Sequence, residues 1–195
     1  SLEAPLVMVQ LADLYYEREI ERYFEQLDIG NDDAVADFKK SVDLYDRVLK
    51  YYPNSQYADQ ALYMRGYCYS DEYNEERDEE EAVKSFLELV ERFPDSVYNS
   101  LAAYNIGRYY FDVQSDYDNA ISYFEMSRTL SDPLDEIHEF SIYRLAWAYY
   151  VLDDFETSLD KMVEVLEHQD DIFRRTGKTP QTREEAIRYM AFSLI

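Results

Sequence analysis

The side chains best suited to chemistry here are arginines and aromatics, not nucleophiles. The chain of 195 residues holds 21 tyrosines, a single tryptophan (Trp147), and arginines such as Arg108 and Arg144 against a formal net charge of −23. Aromatic rings offer large rigid contact area, and a guanidinium pairs bidentately with carboxylates or lies over a ring. That is binding chemistry. Signatures of catalysis are missing: there is no Gly-rich phosphate loop, no HExxH and no Gly-x-Ser-x-Gly. With 42 acidic residues, carboxylate pairs arise by chance, so none is singled out as a glycosidase pair. The sequence therefore reads as non-enzymatic, and no motif implies a cofactor.

Cys68 has no second cysteine to bridge, and His138 and His168 lack zinc spacing. The two histidines read as surface or helix-end residues. "DEYNEERDEEE" (Asp71 to Glu81) concentrates eight acids beside one arginine. Its last three glutamates favour the positive end of a following helix, and the others read as solvated. "DVQSDYD" (Asp112 to Asp118) lacks the central glycine and distal glutamate of a calcium loop. The strong negative charge argues against nucleic acid and against anionic membranes as partners. No apolar run approaches the ~18 residues of a membrane span. The chain begins at Ser1 without an initiator Met or signal peptide and stops inside a helical pattern, so it reads as part of a longer protein.

The elements that must position these residues show in a recurring phrase. "YYPNS" (Tyr51 to Ser55) returns as "RFPDS" (Arg92 to Ser96) 41 positions later. Small residues recur with it. Gly66 in "ALYMRGYCY", Gly107 in "AAYNIGRYY" and Ala146 in "IYRLAWAYY" stand 41 and 39 positions apart, each among aromatics. After each comes a second helical segment with its own small residue (Ala82, Ala120, Ser158) and, four residues on, a large one (Phe86, Phe124, Met162). Such a period means stacked supersecondary units. A small residue on helix A lets helix B approach, and apolar residues at three- and four-residue spacing (Val83, Phe86, Leu87, Val90) form the buried stripe. Proline closes two of these segments, at Pro94 and Pro133, as Pro53 closes an earlier one. The Asn/Asp-Ser after the first two prolines, and Asp132 at the third corner, are expected to cap the next helix. "TREE" (Thr182 to Glu185) reads as a capping box. Scarce glycine and proline, four and five, argue against a β-sandwich.

These positions resemble the tetratricopeptide repeat over about residues 37 to 192, although the spacing exceeds the family's usual period of about 34. The extra length falls in "SDEYNEERDEEE" (Ser70 to Glu81), a longer turn within one unit. It also falls in "HQDDIFRRTGKTPQ" (His168 to Gln181), a longer corner before the last helix. The corner phrase resembles the repeat variant common in bacterial cell-envelope proteins. The resemblance implies an all-α, right-handed α-solenoid of antiparallel helix hairpins filling 1–195 as one domain. Its parts are an atypical first hairpin (1–55), repeats at 56–96, 97–133 and 134–168, and helix A of a truncated further repeat (182–195).

In this family the A helices line a concave groove. The matching positions place Tyr63, Tyr67, Tyr104, Asn105, Arg108, Phe111, Tyr143, Arg144, Trp147, Tyr150 and Arg188 on that face. The implied function is a scaffold or adaptor that binds a peptide or helix of a protein partner within an envelope assembly, periplasmic or envelope-associated, with the cytoplasm as the alternative compartment. The family's carboxylate clamp is broken: Asn105 and Arg144 match two of its positions, but Tyr63, Tyr67 and Phe140 stand where it needs Lys, Asn and Lys. Two other readings stay open. In one, a structural spacer, the tyrosines pack between helices and each arginine neutralises a local carboxylate. In the other, a glycan- or peptidoglycan-binding accessory, Trp147 and the tyrosines are sugar platforms.

Overall fold

Asp78, Asp116 and Asp154 set the frame, each 38 residues after the one before. Asp78 accepts backbone bonds from Glu80 and Glu81, Asp116 from Asn119 and Asp154 from Thr157, so each satisfies orphan N–H groups of a helix start. The computed structural model describes residues 3–177. Within them run α1 (Ala4–Asp28), α2 (Lys39–Tyr51), α3 (Ala58–Ser70), α4 (Glu79–Arg92), α5 (Asn99–Arg108), α6 (Tyr117–Leu130), α7 (Glu136–Val151) and α8 (Phe155–Thr176). A π-helical segment, Tyr109–Gln114, continues α5. Asp-capped α4, α6 and α8 are the B helices of three hairpins. Pro5 in the first turn of α1 loses no helix bond, because that N–H has no partner within a helix. The fold is all-α and tetratricopeptide-like; among the described residues the only β pairing is an isolated parallel bridge between Ala36 and Asn74.

The chain divides into two compact units, Ser1–Tyr98 and Asn99–Ile195. In the first, α1 packs on α2 and α3 on α4, with α2 also against α3. Its core gathers Val9, Ala12, Phe38, Tyr45 and Val48 with Ala61 and Cys68. Burial pushes the Cys68 thiol up, so it stays protonated and unreactive. In the second, α5 packs on α6 and α7 on α8, with α6 against α7.

The small residues do what close packing requires. A Cβ on Gly66 would stand 2.7 Å from the Phe86 ring, and one on Gly107 2.7 Å from the Phe124 ring. Both rings are buried, and burying each stabilises by roughly 1.5–3 kcal/mol. In the α7/α8 hairpin Ser158 Oγ donates to the Ala146 carbonyl at 2.8 Å, so a hydrogen bond accompanies the small-residue contact. The α4 stripe is buried at Ala82, Val83, Phe86 and Leu89, while Leu87 and Val90 lie half-buried at its edge.

The corners differ from expectation. Asn54 and Ser55 do not cap α3, while ahead of α5 Ser96 Oγ accepts from Tyr98 N at 3.2 Å. The residue before α3 is Tyr57, which makes no side-chain cap. Asp132 does not cap α7, which starts after Asp135. Each corner is instead a four-residue turn closed by a backbone bond: Ser55 N to Tyr52 O at 3.0 Å, Ser96 N to Phe93 O at 3.0 Å, Asp135 N to Asp132 O at 2.9 Å. Proline stands second in each, where its fixed φ suits the turn. Two B helices brace the corner before their own hairpin: Arg92 donates to Pro53 O at 2.9 Å, and His168 Nε2 donates to Pro133 O at 2.6 Å. His168 also stacks on His138, ring centroids 5.2 Å apart, so the two histidines form a packed pair between α7 and α8. The expected corner at His168 is helical, because α8 continues to Thr176 and ends on Gly177 at positive φ. The acidic insertion is partly ordered. Tyr73 stacks on Tyr23 at 4.4 Å, Asn74 donates to Cys68 O, and Glu79–Glu81 form the first turn of α4. The "TREE" box and the final helix lie outside the described residues.

Candidate functional site

The side chains expected on the A-helix face are engaged to different degrees in the two units. In the first unit Tyr63 is half-buried: its ring stacks on Tyr98 at 5.0 Å and lies 5.9 Å from Phe86. Burial, with the Tyr67 and Tyr98 phenols nearby, pushes its phenol up to about 12. Tyr63 thus belongs largely to the packing between α3 and α4. Tyr67 is more open at 38% exposure and meets the edge of Tyr16 at 5.8 Å. The first helix adds residues that sequence reasoning left out. Tyr16 donates to Asp71 at 2.9 Å, and Asp13 accepts from Tyr45 at 2.5 Å and Gln60 at 3.1 Å. Burial raises the Tyr16 and Tyr45 phenols well above the ordinary tyrosine range. The hint was in the spacing of Asp13 and Tyr16, three apart and so on one helix face.

In the second unit Tyr104 packs inward, 5.8 Å from Phe124 and 6.5 Å from Phe140. Asn105 gives its amide to Leu101 O of its own helix at 2.9 Å. The remaining members converge. Asp112, on the π-helical segment, lies 3.9 Å from Arg108 Nε and 3.3 Å from an Arg144 guanidinium nitrogen. The Arg144 guanidinium also sits 5.7 Å from the Phe111 ring centroid, a cation–π distance. Phe111 meets Tyr117 edge-on at 5.2 Å. Along α7, Tyr143, Trp147 and Tyr150 form a run of edge contacts at 6.4 and 5.6 Å, extended by Phe155 at 5.4 Å. Arg188 lies outside the described residues. One carboxylate is thus shared by two guanidiniums beside an aromatic ring. Among the described residues no three His, Cys, Asp or Glu side chains are grouped to hold a metal ion.

Sequence reasoning did not select Asp112, and it missed the π-helical segment that carries it. A signal existed. Nine positions separate Gly107 from the cap Asp116, against eight from Ala146 to Asp154. One residue added without an added turn is what a π-helical stretch absorbs.

The fold agrees with the comparisons. A tetratricopeptide-repeat model matches residues 6–55 and an outer-membrane lipoprotein model matches residues 34–110. The tetratricopeptide-repeat match covers residues 6–55, and the fold of the described residues is tetratricopeptide-like. The match from residue 6 takes in α1 and α2. Among solved structures, a MamA protein crystal structure superposes with a TM-score of 0.60 at 17% identity, over 100% of this chain and 92% of that one. A MamA structure beginning at its residue 41, from Desulfovibrio magneticus RS-1, gives 0.54 at 16% identity over 94% and 90%. At such identities the likeness concerns the fold. No curated protein matches the sequence. No helix among the described residues is long and apolar enough to cross a membrane.

Proposed function

We propose that this tetratricopeptide-repeat protein is a non-catalytic adaptor that holds a peptide or helix of a protein partner on its A-helix faces, within a bacterial envelope assembly. The observation that carries this reading is the second-unit cluster, where Arg108 and Arg144 flank Asp112 beside Phe111 and α7 presents Tyr143, Trp147 and Tyr150. Aromatic and arginine anchors are what a protein-recognition surface concentrates. The match to an outer-membrane lipoprotein family supports the envelope placement. Affinity capture from native-source lysate tests the adaptor reading, with the wild-type chain beside an Arg144→Glu/Trp147→Ala variant checked by circular dichroism. A protein retained by wild type and lost by the folded variant is the expected result. Equal capture by both would remove this face from the function. Fractionation of the native protein tests the envelope placement, and recovery in the cytosol alone would refute it.

A spacer reading keeps one specific support. Tyr63 and Tyr104 turn into the packing between helices, so these two residues serve stacking.

A further inference from the structure

The recurring corner phrase carries side chains that neither the fold nor the A-helix face uses. At the first corner Asn54 caps no helix, and Asn54 and Gln56 lie exposed. Their side-chain amides, and the phenols of Tyr51, Tyr52 and Tyr57, make no hydrogen bond among the described residues. These groups line one open groove of about 730 Å³, together with the rings of Pro5 and Pro53. A second groove of about 470 Å³ shares Asn54, Ser55 and Gln56 with the first and runs on to Phe93 and Pro94 of the next corner. The two form one trough across both copies of the phrase, wholly within the first compact unit. Its shape and chemistry narrow what fits. No charged residue lines the first groove, in a chain that is 31% charged. The basic groups beside it are already engaged: Lys50 Nζ lies over the Tyr51 ring at 5.3 Å, and Arg92 pairs with Glu88. Arg92 also donates to Pro53 O at 2.9 Å, which ties one corner to the next and forms the trough before anything binds.

We propose that this trough is a second docking surface, and that it receives an extended, uncharged, proline-bearing segment of another protein. A polyproline II chain leaves its carbonyls exposed, and its prolines have no N–H, so it presents acceptors and few donors. The free polar groups of the lining, two amides and three phenols, can all donate to such a chain. Proline rings pack on aromatic faces, which the tyrosines supply, and the stiff segment loses little conformational freedom on docking. The elongated form of two joined grooves suits a chain laid along them rather than a compact ligand. A charged segment gains nothing in the first groove, because no opposite charge waits there. The surface lies apart from the A-helix positions of the adaptor reading and does not depend on them.

The test is selection from a displayed random peptide library of about 12 residues against the full chain, followed by fluorescence-polarisation titration of the enriched peptides. Wild type is compared with Tyr51→Ala/Gln56→Ala and with Arg144→Glu/Trp147→Ala, each confirmed folded by circular dichroism. Tyr51 is 60% exposed and Gln56 is exposed, so the first variant should keep its fold. Expected is a class of uncharged, proline-bearing peptides that bind Tyr51→Ala/Gln56→Ala at least about 10-fold more weakly and Arg144→Glu/Trp147→Ala unchanged. Replacing the prolines of such a peptide with alanine should weaken it by about 3- to 10-fold, through lost stiffness. The proposal falls if no enriched peptide loses affinity in Tyr51→Ala/Gln56→Ala, or if those that do are charged or keep their affinity without proline. Binding of wild type and not of that variant to an array of neutral glycans, with no such peptide selected, would overturn it in favour of a carbohydrate. The adaptor reading is judged by the other variant, so one can fail while the other stands.

Discussion

At residue scale, Gly107 shows how a small side chain becomes a structural requirement. Replacing a helical glycine with alanine ordinarily helps, by about 1 kcal/mol of helix propensity. Here the new methyl would meet the Phe124 ring at 2.7 Å, and that ring is fully buried. Overpacking of this kind costs about 1–3 kcal/mol, so the clash outweighs the propensity gain. Gly107→Ala is expected to lower the thermal midpoint by about 2–6 °C in a chain of this size, and the loss should shrink in a Phe124→Leu background. A midpoint equal to or above wild type would sink the packing argument. The need for Gly66 and Gly107 was legible because a glycine set amid aromatics inside a helical pattern weakens the helix unless a neighbour must come close. What Asp112 does was not, since its partner Arg144 lies 32 positions away on another helix and no local pattern announces that meeting. Tyr63 and Tyr104 teach the same lesson from the other side. Face positions counted from a small residue say where a side chain starts, not whether a neighbouring ring has drawn it inward.

Among the elements, the irregular one separates a structural requirement from a functional one. If the π-helical segment exists only because one residue must be absorbed between Gly107 and Asp116, removing that residue should relieve it. Deleting Val113, which is exposed, shortens the interval to the eight positions that Ala146 keeps to Asp154. The expected protein retains its far-UV helical signal and a thermal midpoint equal to or above wild type, because an α-helical ladder replaces poorer π geometry. A fall of more than about 5 °C would mean that the segment is needed for packing and not merely tolerated. Element boundaries were legible where backbone chemistry is local, as with prolines ending the B helices. They were misread where two local uses of the same residues compete. Asn-Ser and Asp-Ser after proline serve equally in caps and turns, and at Tyr52–Ser55 and Phe93–Ser96 the turn wins. The caps that do form, on Asp78, Asp116 and Asp154, hold a stricter period than the aromatic phrase, since they fix the B-helix start while the loops before them vary in length.

For the molecule as a whole, the surplus of 42 acidic over 19 basic residues sets the response to salt. Ion pairs of α6 and α8, with Arg128 and Lys161 between Glu125 and Glu164, and those of Arg65 with Asp46 and Glu81 are attractive and weaken as salt rises. Partly exposed pairs of this kind contribute about 0–1 kcal/mol each. Against them stands the repulsion of the uncompensated carboxylates, which acts over longer range and is therefore screened more completely. Raising ionic strength from about 0.01 to 0.15 M shortens the Debye length from about 30 to 8 Å, leaving close pairs in contact while cutting off distant repulsion. The thermal midpoint is therefore expected to rise with sodium chloride across that range and to level off beyond it, as read by circular dichroism at constant pH. A midpoint that falls over the same range would show that the ion-pair networks, and not the acidic surplus, dominate the electrostatics.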